Sequence, residues 1–161
     1  MILCRNNSHR QEYNPIACLL GTGIISGIVG TALMSFAQVI EMKFSGRKPS
    51  DTPARAGEKV LGVKPHSEES KQRFNNLVHW SYGSLWGLFR VDLFLIGLMG
   101  LPALIIHFLS IWIGGMTLLP RLHVSTPPWK WGWKAVFTDG FFHLVYASGA
   151  GIVFDRLIEK R

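Results

Sequence analysis

Charged side chains are scarce in this sequence: Asp, Glu, Lys and Arg make up 17% of its 161 residues, against roughly 25% in an ordinary soluble domain. They are also missing in blocks. Tyr13–Ile40 and Leu93–Pro120 each run 28 residues without one. A soluble core helix of that length would carry a polar face, and past Asn14 the first run offers nothing more polar than Thr, Ser and Gln. As a helix it would span about 42 Å at roughly 1.5 Å per residue, and a bilayer core needs only about 20 apolar residues. Segregated charge of this kind argues against a soluble domain and for a polytopic membrane protein. Its first transmembrane helix would lie in Tyr13–Ile40.

Other absences narrow the chemistry. The chain has no GxSxG, HExxH or Walker loop, so the common hydrolase, zinc-protease and nucleotide signatures are excluded. Its two cysteines, Cys4 and Cys18, make no CxxC, CxxCH or zinc-type spacing. With Cys18 inside the first apolar run, a disulfide between them is not expected, and Cys18 reads as a small apolar filler. No cofactor and no catalytic residue is expected. Asp139, His143 and Ser148 match a hydrolytic triad in composition only, because Ser148 falls on another helix face. The net charge of +7 does not imply nucleic acid, since the basic residues sit in short loops beside apolar spans, where juxtamembrane Lys and Arg belong. A signal peptide is also disfavoured. Arg5 and Arg10 precede the apolar run, but the run exceeds the ~7–15 residues of a signal core, and Ser35-Phe36-Ala37 is a poor cleavage site.

Punctuation then divides the chain. Residues 1–14 form a polar tail, and 15–161 a single membrane domain with spans at about 15–40, 76–96, 101–119 and 135–157. The fold class is an all-α integral membrane four-helix bundle. Residues 41–73 are the soluble segment, with a short helix at about 53–61 capped by Thr52-Pro53 and stopped by Gly62. Ser67 caps a second helix, its first turn holding Glu68 and Glu69, that continues unbroken into the membrane. Gly97, Gly100 and Pro102 mark a tight turn that makes spans two and three an antiparallel hairpin. Leu119-Pro120 ends the third. Trp129, Trp131 and Trp133, interleaved with Lys130 and Lys134, read as an interfacial aromatic belt. Eleven of the 17 basic residues fall on the side of the 41–73 segment, which places that segment in the cytoplasm by the positive-inside rule.

Two patterns inside the spans invite a function. The glycines Gly23, Gly27 and Gly30 in the first span, and Gly83 and Gly87 in the second, let helices approach closely. A polar seam is formed by His79, Tyr82, Arg90, His107, Asp139, His143 and Tyr146, with Gln38 and Glu41 at its upper end. Ionisable groups cost roughly 2.5–3.5 kcal/mol at mid-bilayer on insertion scales, so they should face inward. Such a seam fixes helix rotation, or it conducts protons or ions. A metal or haem site on His79, His107 and His143 is a weaker reading because these residues lie at different depths, so no metal site is expected. Arg90 could pair with Asp139, with Glu41 or with lipid headgroups, whereas Asp92 lies on the opposite face.

Several segments together resemble small four-span bacterial membrane proteins without an assigned activity, and more loosely the YagU-like inner-membrane proteins. They are Gly30-Thr31-Ala32-Leu33-Met34-Ser35, Gly46 to Ala54, His79-Trp80-Ser81-Tyr82-Gly83 with Trp86-Gly87, His107-Phe108 with Trp112, Leu119-Pro120, and Asp139 to His143 with Tyr146-Ala147. The resemblance covers roughly Gly21 to Asp155 and implies a multi-pass protein of the bacterial cytoplasmic membrane. It implies no activity. The expected partners are the lipid bilayer and a membrane protein or second copy; the expected role is that of a non-enzymatic accessory or interaction subunit. The competing expectation is a proton-linked small transporter or channel that uses the seam.

Overall fold

The computed structural model describes residues 15–159; the polar tail 1–14 lies outside them. Within them the chain is all helical: α1 Pro15–Ser45, α2 Thr52–Leu61, α3 Glu68–Leu95, α4 Gly100–Arg121 and α5 Trp133–Glu159, with a single 3-10 turn at Pro128–Lys130. Three of these, α1, α4 and α5, are long and apolar enough to cross a membrane. That corrects the expected count of four. At 28 residues α3 is long enough, but Asn75, Asn76, His79, Arg90 and Asp92 make it too polar.

The ends follow local chemistry. Pro15 occupies the first position of α1, where a missing N–H costs nothing. Helix α2 has its N-cap at Asp51, one residue earlier than expected, and Gly62 closes it in the left-handed region at φ 68°. Ser67 and Ser70 cap α3 reciprocally: the Ser70 N–H donates to Ser67 Oγ at 3.2 Å and the Ser67 N–H to Ser70 Oγ at 3.0 Å. Gly97, at φ 85°, lets the Leu98 N–H return to the Leu93 carbonyl at 2.9 Å and ends α3. The third span was expected to stop at Pro120, yet α4 runs to Arg121. A proline in the last turn removes one hydrogen bond, and the Leu122 N–H still reaches the Leu118 carbonyl at 3.0 Å.

Helix α1 is the hub. It packs most extensively on α3 and α5, α5 also packs on α4, and α3 meets α4 only lightly. Close approach is possible because the α1 face toward its neighbours is Thr22, Gly23, Ser26, Gly27, Gly30 and Thr31. Its buried hydroxyls are satisfied within their own helix, as with Ser26 Oγ donating to the Thr22 carbonyl at 2.7 Å and Thr31 Oγ1 to the Gly27 carbonyl at 2.8 Å. The sequence-adjacent α3 and α4 stand further apart because a layer of rings fills the space between them.

Helix α2 is seated on the first turns of α3. Ala54 and Gly57 face it, Gly57 against Phe74 and Val78. The Asn75 amide accepts the Ala54 N–H at 2.9 Å and donates to the Ser50 carbonyl at 3.2 Å. Lys71 Nζ donates to Asp51 Oδ2 at 2.9 Å, which lowers the Asp51 pKa and raises that of Lys71. Cys18 is disulfide-bonded, its partner lying outside the described residues; this corrects the expected unpaired filler. Its position in the first turn of α1, and not mid-span, removes the objection to pairing.

Candidate functional site: the buried polar groups

The most buried large side chains include a cation and an imidazole: Arg90 is 1% exposed and His107 0%. Arg90 Nη2 donates to both carboxylate oxygens of Asp155 at 2.7 Å. None of the partners considered for Arg90 from the sequence is the one it has. Asp155, 19% exposed at its side chain, also accepts the Gly100 N–H at 3.3 Å. One carboxylate therefore ties α3, the start of α4 and α5 together, and caps an α4 N-terminus whose own cap residue, Met99, makes no side-chain hydrogen bond. The Arg90 guanidinium carbon also lies 5.9 Å from the Phe154 ring centroid.

Next to this pair His107 is enclosed by rings. It stacks on Trp86 at 6.3 Å between centroids, tilts against Phe89 at 5.9 Å and meets Tyr146 edge-on at 5.6 Å. Neither His107 ring nitrogen has a hydrogen-bond partner, nor do Arg90 Nε and Nη1. Unpaired buried donors of this kind are rare in folded proteins. Tyr146 closes the layer, its hydroxyl donating to the Gly83 carbonyl at 2.6 Å.

A second polar group lies toward the α2 end. Trp112 Nε1 donates to Asp139 Oδ2 at 3.1 Å. His143 Nδ1 is 2.8 Å from the Asp139 carbonyl oxygen and 3.5 Å from Oδ2; a carbonyl only accepts, so Nδ1 carries the proton. His79 Nε2 is 3.2 Å from Ser35 Oγ, which ties α3 to α1.

The remaining predicted residues are elsewhere. Glu41 is bridged to Arg47 at 3.0 Å on the surface and is not part of an interior seam. Tyr82 is exposed, its ring edge-on to Trp86 at 6.1 Å. Gln38 is half-buried near the end of α1. The nine residues thus resolve into two inner clusters and outlying members, and no hydrogen bond among the described residues joins the clusters. Three or more His, Cys, Asp or Glu side chains able to hold a metal do not come together among the described residues.

The glycines are used inside the chain. A Cβ at Gly87 would strike the Gly23 carbonyl, one at Gly27 would lie 2.7 Å from the Gly83 carbonyl, and one at Gly30 2.8 Å from the Tyr146 carbonyl. One at Gly83 would collide with Thr31 Oγ1, and one at Gly23 would sit 2.9 Å from the Gly87 carbonyl. These faces are therefore filled by α1, α3 and α5 and are not free for another chain. Trp129 and Trp133 project outward at 81% and 79% exposure, while Trp131 is half-buried with Nε1 donating to the Thr126 carbonyl at 2.6 Å.

Sequence reasoning missed Asp155 and Trp112. Asp155 is 16 residues beyond Asp139, which at 3.6 residues per turn puts it roughly 160° around the helix. A one-face reading of α5 could not include both. The signal that would have found it is the row of fours, Asp139, His143, Ala147, Gly151, Asp155, followed as its neighbours change from α4 to α3. Comparison with known proteins finds no matching family model, curated protein or solved structure.

Proposed function

We propose that this chain is an integral membrane helix bundle of a bacterial cytoplasmic membrane, without catalysis of its own, acting as an accessory subunit. The observation that carries the reading is an inverted surface. Arg90 and His107 are enclosed, while Ile16, Leu85, Leu101, Phe137 and Ile152 on four different helices face outward. Water would penalise so large an apolar exterior, and lipid would not. The register of α3 against α1 supports a fourth crossing. Gly87 meets Gly23, Gly83 meets Gly27 and His79 meets Ser35, so the charge-free stretch Phe74–Phe89 shares the depth of an apolar helix and is shielded by it.

The glycine faces being occupied, lateral contact falls to α4. Only Ala103, His107 and Ile111 of that helix are buried, while Ile105, Leu109 and Ile113 face outward. The test is purification from native membranes in mild detergent. A defined membrane partner or a second copy is expected to copurify, and Leu109→Ala with Ile113→Ala to weaken that association. A lone monomer in native membranes, unchanged by those substitutions, overturns the reading. The unpartnered nitrogens of Arg90 and His107 favour one second reading, proton-linked transport through the interior. It requires pH-dependent flux in proteoliposomes that Asp139→Asn or His107→Gln abolishes, and absence of flux rejects it.

A further inference from the structure

Helix α2 ends in an apolar tip that no other described residue covers. Val60 and Leu61 are 65% and 63% exposed, and Val63 just beyond the Gly62 turn is exposed as well. Lys59 and Lys64 bracket these three residues, and neither takes part in an ion pair found among the described residues. The face of α2 that buries Ala54 and Gly57 is spent on α3, and Leu61 continues that face about one turn beyond Gly57, where α3 no longer covers it.

The height of the tip is set by what α2 touches. Its contacts move from Lys71 at Asp51, through Asn75 at Ala54, to Phe74 and Val78 at Gly57. Along α3 these are the turns where Glu68, Glu69, Lys71 and Arg73 give way to the charge-free stretch Phe74–Phe89. The C-terminal end of α2 is therefore the end nearer the apolar part of α3. Gly62, left-handed at φ 68°, turns the chain back at that point.

We infer that α2 is an interfacial helix: Val60, Leu61 and Val63 enter the acyl region of the adjoining leaflet, and Lys59 and Lys64 rest on anionic lipid phosphates. The inference builds on the membrane reading above and replaces a water-facing 41–73 segment with one that is partly lipid-facing. A short helix with an apolar tip and flanking lysines is the pattern of an amphipathic membrane-surface element, the lysine stems lying along apolar surface with their ammonium groups at headgroup level. Charge complementarity selects the ligand, since basic juxtamembrane residues are drawn to anionic leaflets.

The test uses the full chain in phosphatidylcholine–phosphatidylglycerol vesicles. A fluorophore is placed at Leu61→Cys, with Lys48→Cys as loop reference and Phe141→Cys as the outward reference on α5. Acyl-brominated lipid is expected to quench the label at 61 about as strongly as at 141, and aqueous iodide to quench it several-fold less than at 48. Replacing Lys59 and Lys64 by Gln, or omitting phosphatidylglycerol, is expected to reduce the bromine quenching at 61. A label at 61 that follows position 48 overturns the inference, and so does one shielded from both quenchers, which would mean a protein cover. Unchanged bromine quenching in the double Gln variant overturns the lysine–phosphate contact. Should position 141 prove open to iodide too, the membrane reading fails with it; if only 61 is open, that reading stands and this inference alone falls.

Discussion

A buried arginine is stable only where its charge is answered. Arg90 has one carboxylate, and that carboxylate also holds the start of α4. Removing one partner of a buried pair costs roughly 3–5 kcal/mol, because the other is left charged and unpaired. Asp155→Asn is therefore expected to lower thermal stability in detergent by about 3 kcal/mol, the low end, since Asp155 keeps some exposure. Replacing both, Arg90→Met with Asp155→Leu, should recover much of the loss because an apolar pair needs no answering charge. A thermal melt of Asp155→Asn that overlays the wild type would show that the pair does not hold the helices.

At the scale of elements, contact distance separates glycines that position helices from those that do not. A Cβ at Gly87 has the Gly23 carbonyl in its way, whereas one at Gly115 meets nothing within 4 Å. Overpacking a tight contact costs roughly 1–3 kcal/mol, and alanine gains about 0.5–1 kcal/mol over glycine within an unobstructed helix. Gly87→Ala should thus destabilise and Gly115→Ala should not, as read by melting temperature in the same detergent. Equal behaviour of the two variants would contradict the α1–α3 interface. Helix α2 gives a pH dependence instead. The Lys71 ammonium holds the Asp51 pKa below its ordinary 3.8, and the carboxylate raises that of Lys71 above 10.5. The contribution is present above pH 3.8 and lost as pH falls through the depressed value; at the other extreme it is lost above the raised lysine value. Protection of the α2 amides, relative to their intrinsic exchange rate at the same pH, should fall selectively in acid below that point, and Lys71→Met should remove the effect.

For the molecule as a whole, the proposed crossing by α3 would put the 41–73 segment and the Gly97–Gly100 turn on opposite faces. In sealed inside-out vesicles a membrane-impermeant thiol reagent should label Lys48→Cys and spare Leu98→Cys, and right-side-out cells should reverse this. Labelling of both from one side would reduce the bundle to an odd number of crossings, with α3 lying outside the bilayer. The outcome tests α3 in particular, since α1, α4 and α5 are apolar enough to cross on their own account.

Helix identity, helix length and most caps were legible in the sequence, because they depend on neighbours a few residues apart: the charge-free runs, Pro15, Gly62, Ser67 with its acids, and Gly97. The GxxxG spacings were legible too, but not which helices they join. Partners were not legible, since they depend on how helices cross. Periodicity assigns each helix one face, whereas α5 turns Asp139 toward Trp112 at one end and Asp155 toward Arg90 at the other. The expected antiparallel α3–α4 hairpin packs only lightly, because glycines admit α1 against α3, while the rings around His107 lie between α3 and α4. The order of residues by itself, through its charge-free runs and helix punctuation, determined that the described chain is helical and rich in long apolar helices. Only tertiary packing decided which carboxylate answers Arg90, because that choice depends on distances between residues 65 positions apart.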